Sequence, residues 1–570
     1  MIGMPLESQS FVNNVLTGGQ KTNFSLFSAF PRPQTIQTYN TVLSTWETEA
    51  TFNSYDAFGN PSSVTLRGWQ PETYTWNKDL MTQKNYLAFQ WKYEYETNTA
   101  LLKKYTEPNS LFTTYSYDAL SRLSTVNQYS GKAITGLNYA YSPANNTIGI
   151  STNYATGADL STQKIIDGLG RNIKIRKIGY GQGGQDVVSQ TDFDPAGRVK
   201  KEFLPGFTNP STAFTEYTYE DSPLGRPIAI TRPAPLGVET MGYSIDGDFF
   251  VETLTNALGE YTKTYTDTRG RKAGTISGKG SLTNTTYNFY DDRNNLIKVR
   301  PDGRGDADAD YIYTYTYDGR NRLTSKKIPE KALIQMAYNL RDLPTHTKDG
   351  IHPPIYAGYD DYGRNIFAGT VANMSSTTII DTLAKTDFIT NPASLGFGQP
   401  FKNKVAVFGA NGQPNGQFIL SETQIFDSYH RPIYTRSNHI LNLANPSAIT
   451  NSVFYNARDQ INSQAEGVAV NGITYSISQS HTYDNGGRKT KTEVSFDNIL
   501  NKNIEETTAF DALDKPLQTK IGGNLQTIDY QYFAGGFLDK INGGTTGAGG
   551  LALTANGWPS ENSSNDLFAM

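Results

Sequence analysis

Cysteine is absent from this 570-residue chain, and histidine is scarce at 5 residues. Without thiols there are no disulfides, no thiolate metal sites and no cysteine nucleophile, and neither a reducing nor an oxidising compartment is ruled out. The histidines are scattered. Only His346 and His352 fall close together, with no patterned third ligand or acid-base partner, so they read as surface loop residues. Long apolar runs are missing too: nothing approaches the roughly 20 residues of a membrane-spanning helix, and the opening MIGMPLESQSF lacks the basic and apolar regions of a signal peptide. Positive charge is not in excess. With 50 Lys and Arg against 54 Asp and Glu, the formal net charge is -4 and the signs interleave, which leaves no basic stripe for a phosphate backbone and argues against nucleic acid as a partner. The G-x-S-x-G, H-E-x-x-H and G-x-x-x-x-G-K-[ST] patterns do not occur, so the commonest hydrolase and nucleotidase chemistries have no foothold.

What the chain does have is tyrosine and glycine, 36 and 52 residues respectively, with Thr, Asn and Ser also abundant. That balance favours strands joined by many turns over helices. Mean hydropathy is -0.51, yet a tyrosine offers ring area for packing and a hydroxyl for water, so a Tyr-rich sheet can form a thin layer with little Leu or Ile.

The stretch YIYTYTYDGRNRLTSKKIPE, from Tyr311 to Glu330, shows the pattern: alternating tyrosines, then Asp-Gly-Arg, then alternation again. Alternation with period two is the signature of a strand, and Asp with Gly or Asn supplies a turn, so the stretch reads as a β-hairpin with Asp318 and Gly319 making the turn. Copies recur as YDAFGNPSSV at Tyr55, YDALSRLSTV at Tyr117, IDGLGRNIKI at Ile166, FDPAGRVKKE at Phe193, YDDRNNLIKV at Tyr290, YDDYGRNIFA at Tyr359, YDNGGRKTKT at Tyr483 and FDALDKPLQT at Phe510. With weaker copies there are roughly 19 units about 20 to 28 residues apart, a spacing at which hairpins stack into a continuous sheet. The tyrosines are expected to pack across strands between neighbouring units, Asp to bond turn amides and Arg to pair with a neighbouring carboxylate. About 38 strands at about 4.8 Å make a sheet roughly 180 Å long, which would close in one circuit of about 60 Å diameter.

The repeated Y-D-x-x-G-R-L motif resembles the rearrangement-hotspot (RHS) or YD-repeat family, which includes bacterial polymorphic toxins, shell-forming subunits of insecticidal toxin complexes, and teneurins. The match runs from about Tyr55 to Tyr532, and the opening GMPLESQSF is similar to Bacteroidetes members. The resemblance implies an all-β fold in which tandem hairpins form a long, curved or spiralling antiparallel sheet, part of a hollow shell around a toxic C-terminal polypeptide. The expected organisation is a strand-rich lead-in over 1–50 continuing an upstream region, a repeat array over 51–540 with an insertion or degenerate copies near 366–425, and a Gly/Ser-rich tail over 541–570 entering a further repeat. Complete members carry an Asp-Pro-rich self-cleaving core and a variable toxin domain after the repeats, and neither is visible here. Asp194, in the lone FDPAGR, therefore reads as a turn residue.

Few residues suggest chemistry. GYGQGG, 179–184, fits G-x-G-x-x-G but lies between two strand-like runs, so a hairpin loop is the better reading than a nucleotide fingerprint. In DGRGDADADY, Asp306, Asp308 and Asp310 alternate and are candidate oxygen ligands for calcium. The run lacks the glycine and distal Glu of an EF-hand, which favours a solvated acidic turn. No cofactor and no catalytic residue are indicated. The reading is thus a non-catalytic shell segment of a secreted or cell-surface protein, partnered by an enclosed toxin or effector or by other parts of the same shell. An extracellular carbohydrate-binding or adhesion module, with glycan stacked on tyrosines, is the alternative.

Overall fold

The computed structural model describes residues 7–12, 15–27, 30–129, 135–154, 160–301, 311–329, 331–410, 412–439, 447–456, 458–470, 473–497, 500–523, 525–533 and 536–541. Among these are 43 β-strands, two single-turn 3-10 segments and no α-helix, as the alternating pattern requires. The chain divides into two compact units. Unit 1 comprises Met1–Leu111, Tyr243–Thr253 and Tyr261–Arg431; unit 2 comprises Phe112–Gly242, Leu254–Glu260 and Pro432–Met570. Within each unit, strands pair antiparallel in sequence order, so connections alternate between the two ends of the hairpins. Residues 365–426 follow the same rule, with Asn365–Val371, Ile379–Phe388, Pro400–Phe408 and Pro414–Phe426 paired in succession.

The Asp turn has one recurring construction. In the hairpin of Tyr313–Tyr317 and Leu323–Lys327, the Asp318 amide donates to the Arg322 carbonyl at 2.9 Å and the Asn321 amide to the Asp318 carbonyl at 3.1 Å. Register slips by one residue just before Tyr317, which pairs with Leu323. A turn followed by a left-handed residue and a bulge matches the right-handed twist of the strands it joins. Asp318 and Gly319 lie in the turn as expected, and the left-handed residue that completes it is Asn321, at φ 64°, while Gly319 is not in that region. Equivalent positions hold Gly363 at φ 77° and Asp342 at φ 62°.

Little of the chain is deeply buried. Val371 at 0%, Val188 at 2% and Val251 at 3% exposure are among the few enclosed aliphatics, and the strands are mostly half-buried on both faces. Backbone ladders and local side-chain locks must therefore carry much of the stability that a thick core supplies elsewhere.

Candidate functional site: the repeating turn and the seams it builds

Several Asp turns are fastened to the next hairpin by a three-part lock. Asp318 Oδ1 accepts from the amides of Arg320 and Arg322 at 2.9 and 3.0 Å, and its Oδ2 accepts from Arg322 Nε at 2.7 Å. The Arg322 guanidinium lies over the Tyr338 ring, 4.8 Å from its centroid, and the Tyr338 hydroxyl donates to the Leu323 carbonyl at 2.8 Å. One motif's arginine thus seats the next motif's aromatic, and that hydroxyl bonds the backbone just after the arginine. The same pairing joins Arg198 to Tyr219, at 4.3 Å with the hydroxyl on Val199 at 2.7 Å, and Arg122 to Tyr141, at 4.3 Å with the hydroxyl on Leu123 at 3.0 Å. Phe193 and Phe510 keep the stacking, under Arg171 and Arg488 at 4.3 and 4.5 Å, without the hydroxyl bond.

Among the described residues eight turns carry the Asp–Arg pair four residues apart, so the neighbouring carboxylate that arginine was expected to pair with is its own turn's aspartate. Hydrogen bonds from Arg122 and Arg171 hold the Asp118 and Asp167 carboxyls below the usual range, and Arg226 with Ser222 brings Glu220 down to about 2. Burial raises the Tyr317 and Tyr338 hydroxyls above their ordinary value.

The turns also build a seam. Within unit 1, residues 252 to 275 apart in sequence meet. The third residue of four consecutive turns makes the contact. Arg293 Nη1 donates to Thr41 Oγ1 at 2.9 Å and to the Asp318 carbonyl at 2.7 Å. Arg320, 13% exposed, donates to Glu47 at 2.6 Å and to both oxygens of Glu49 at 2.5 and 2.8 Å. Arg341 Nε donates to the Gly68 carbonyl at 2.6 Å and lies 5.1 Å from the Trp69 ring centroid. Tyr362 packs on Tyr86 and Phe89, with centroids at 6.0 and 4.5 Å, and Tyr86 donates to the Asp361 carbonyl at 2.5 Å.

Charges in this seam are closely matched. Asp342 accepts from Arg67 at 2.6 Å and from Arg322 at 2.7 Å, so an acidic and basic network runs along several turns. Burial pushes Glu47 upward, but hydrogen bonds from Arg320 and Asn40 outweigh it and hold the carboxyl below its usual range. Gly319 has its own reason to be glycine: a Cβ there would stand 1.8 Å from Asn40 Oδ1. Asn40 is 7% exposed and accepts from the amides of Val42 and Leu43 at 3.1 and 3.2 Å, so it cannot easily yield.

Unit 2 has a seam of the same kind. The GYGQGG segment is a connection between Asn172–Ile178 and Val187–Phe193, as a hairpin-loop reading expects, and it receives later turns. Arg488 Nη2 donates to the Tyr180 carbonyl at 3.1 Å, and the Tyr180 hydroxyl donates to Asp514 at 3.1 Å. A cleft of about 390 Å³ lies here, walled by Tyr180, Asp484, Arg488 and Phe510.

No family model matches the sequence, and no curated protein matches it. Solved structures do. The crystal structure of TcdB2-TccC3 superposes with a TM-score of 0.75 at 12% identity, over 92% of this chain and 32% of that one. The same complex without its hypervariable C-terminal region gives 0.74 at 12% identity, over 92% and 34%. The Photorhabdus luminescens Tc holotoxin pore, with a TccC3 variant, also gives 0.74 at 12%, over 92% and 34%. This chain shares their fold. It spans about a third of the length of the chains it matches.

The calcium candidates Asp306, Asp308 and Asp310 lie outside the described residues. Among the described residues no cluster of three or more His, Asp or Glu side chains could hold a metal ion. Asp194 is a turn residue, accepting from Arg198 Nε at 2.7 Å. His346 corrects the surface-loop reading: it is 7% exposed on Pro344–Asp349, with Nε2 3.0 Å from the Ser376 carbonyl and its ring 4.8 Å from that of Tyr356. His352 is exposed and pairs with Asp349 at 2.8 Å. Tyr117 and Tyr317 are half-buried, and the Tyr317 hydroxyl is engaged by the Leu296 carbonyl at 2.9 Å. The seam residues escaped sequence reasoning, although a signal existed: the third turn position changes from Phe or Leu at 58, 120 and 169 to Arg or Tyr at 293, 320, 341 and 362.

Proposed function

We propose that this chain is a non-catalytic wall segment of an RHS/YD-repeat shell, in which tandem hairpins enclose a toxin or effector polypeptide that belongs to a longer product or a partner. The single observation that carries the reading is the superposition of 92% of the chain on TcdB2-TccC3. The locks and seams support it, because they join hairpins into a continuous layer without needing a thick core. The repeat array over 51–540 is the wall itself, and 1–50 and 541–570 lead into and out of it. A secreted or cell-surface location suits this reading, since one structure that the chain superposes on is a Tc holotoxin pore.

Small-angle scattering and negative-stain images of the purified chain test the wall. A compact globule of this length has a radius of gyration of roughly 25 Å. The wall reading expects a larger value and a curved, hollow outline. A filled particle near the compact value would sink it. The cargo is tested separately by the reading frame downstream of Met570, where an Asp-Pro-rich core followed by a variable domain is expected.

A further inference from the structure

We propose that a cavity in unit 1 is a binding site for a neutral, planar aromatic group that carries a hydrogen-bond donor, of the indole or phenol kind.

The cavity begins with a break in the repeat. In seven of the eight described Asp–Arg turns the residue before the aspartate is aromatic or isoleucine, as at Tyr117 and Tyr317. Before Asp267 it is Thr266, and the tyrosine stands one place earlier. Successive side chains of Glu260–Thr266 face opposite ways, so Tyr265 lies on the other face from the one its counterparts use. The same hairpin departs again after its turn. Three residues beyond the arginine the other seven carry a side chain, as at Thr125, Ser325 and Phe367, whereas here the residue is Gly274. A Cβ on Gly274 would stand 2.6 Å from the Thr286 carbonyl oxygen, so the close strands demand glycine. In consequence Tyr287, its ladder partner, has no side chain opposite.

The result is a hollow. About 410 Å³ opens between Phe249, Tyr265, Ile276 and Tyr287, within the size range of small-ligand sites. Phe249 meets Tyr265 edge to face with centroids 6.2 Å apart, and Phe249 and Tyr287 stay 37% and 39% exposed. Rings around an open space suit a flat aromatic guest. Polar groups set the rest of its chemistry. Thr285, two residues from Tyr287 and on the same face of Leu282–Tyr290, lines the cavity at 7% exposure, and among the described residues its hydroxyl has no hydrogen-bond partner. A buried hydroxyl left unpaired is costly, and an N–H or O–H from the guest relieves that cost. Charge on the guest is disfavoured in either sign. Asp246 in the cavity wall repels an anion, and Arg300, 5.0 Å from the Tyr287 ring centroid, repels a cation. All of these residues belong to unit 1.

Titration calorimetry of the full chain with indole tests the site. One indole per chain is expected, with N-methylindole, which has no donor, roughly threefold to tenfold weaker. Thr285→Val keeps the shape and removes the acceptor. It should weaken indole to the level of N-methylindole, leave N-methylindole unchanged and not lower the melting temperature. Tyr265→Ala should weaken both ligands by about tenfold, with far-UV circular dichroism unchanged. A blocked Gly-Trp-Gly peptide separates the two sources of such a ring. Peptide binding that Thr285→Val weakens assigns the site to a side chain of an extended polypeptide, and rejection of the peptide with indole retained assigns it to a free small molecule. No saturable uptake of indole, equal affinity for indole and N-methylindole, or binding indifferent to both substitutions would each overturn the proposal.

Discussion

The Arg322 guanidinium lies 4.8 Å from the centroid of the Tyr338 ring, while that tyrosine's hydroxyl donates to the Leu323 carbonyl at 2.8 Å. Two successive motifs are joined through this pair. Tyr338→Phe keeps the stacking and drops one hydrogen bond, so it should cost about 1 kcal/mol. Arg322→Lys should cost more, because an ammonium cannot hold Asp318 and reach Asp342 while lying flat on the ring. Repeat arrays respond locally, so the readout is hydrogen exchange. Faster exchange is expected in Tyr313–Tyr317, Leu323–Lys327 and Ile334–Tyr338, with distant strands unchanged. Equal acceleration along the whole chain would count against a local lock.

Arg320 is the seam residue with the most to lose. Removing it leaves Glu47 and Glu49, 24% and 26% exposed, facing each other without their shared cation. Arg320→Ala should therefore destabilise unit 1 by about 3 kcal/mol. Glu49→Gln in the same molecule should recover part of that loss, and a double-substitution cycle should give a coupling above about 0.5 kcal/mol. Exchange at Thr45–Tyr55, far from Arg320 in sequence, should rise with the single substitution. Unchanged exchange there would mean the seam contributes nothing.

Much of this architecture was legible before the structure, because period-two alternation and Asp-Gly turns are local signals that each hairpin repeats. Asp194, read as a turn residue, accepts from Arg198 as a turn residue should. The arginine's destination was not legible. Stacking of Arg322 on Tyr338 depends on which face the bulge before Tyr317 turns the strand, and that comes from register. His346 was misread for a similar reason: its burial is set by Tyr356 on the next strand and Ser376 three connections later. The seam was least visible of all, since circuit length depends on twist and curvature summed over many strands.

Acid should loosen the turns. Asp118 and Asp167 are held below the ordinary carboxylate range by their arginines, and Glu220 falls to about 2. A carboxyl whose folded pKa lies below its unfolded value stabilises the fold above the unfolded pKa, and that contribution is lost as pH falls through the folded one. Stability should therefore hold from neutrality down to about pH 5, then decline between about 4.5 and 2. Asp118→Asn should flatten its share of the decline. Denaturant midpoints across this range provide the check, and a midpoint that climbs below pH 4 would contradict it.

Gly319 and Gly168 occupy the same place, the residue after the turn aspartate, and their surroundings make opposite demands. A Cβ on Gly319 would meet Asn40 Oδ1 at 1.8 Å and the Val42 amide nitrogen at 3.0 Å, whereas one on Gly168 would find nothing within 4 Å. Neither glycine needs the left-handed region, so backbone strain does not separate them. Gly319→Ala should force the seam apart and cost about 2 kcal/mol. Gly168→Ala should be neutral or stabilising by about 0.5 kcal/mol, since alanine restricts the unfolded chain more than glycine. Both are measured by denaturation of the purified chain. Equal losses at the two sites would show that the turn itself, and not the passing strand, dictates glycine there; a loss confined to Gly319 ties that residue to the seam.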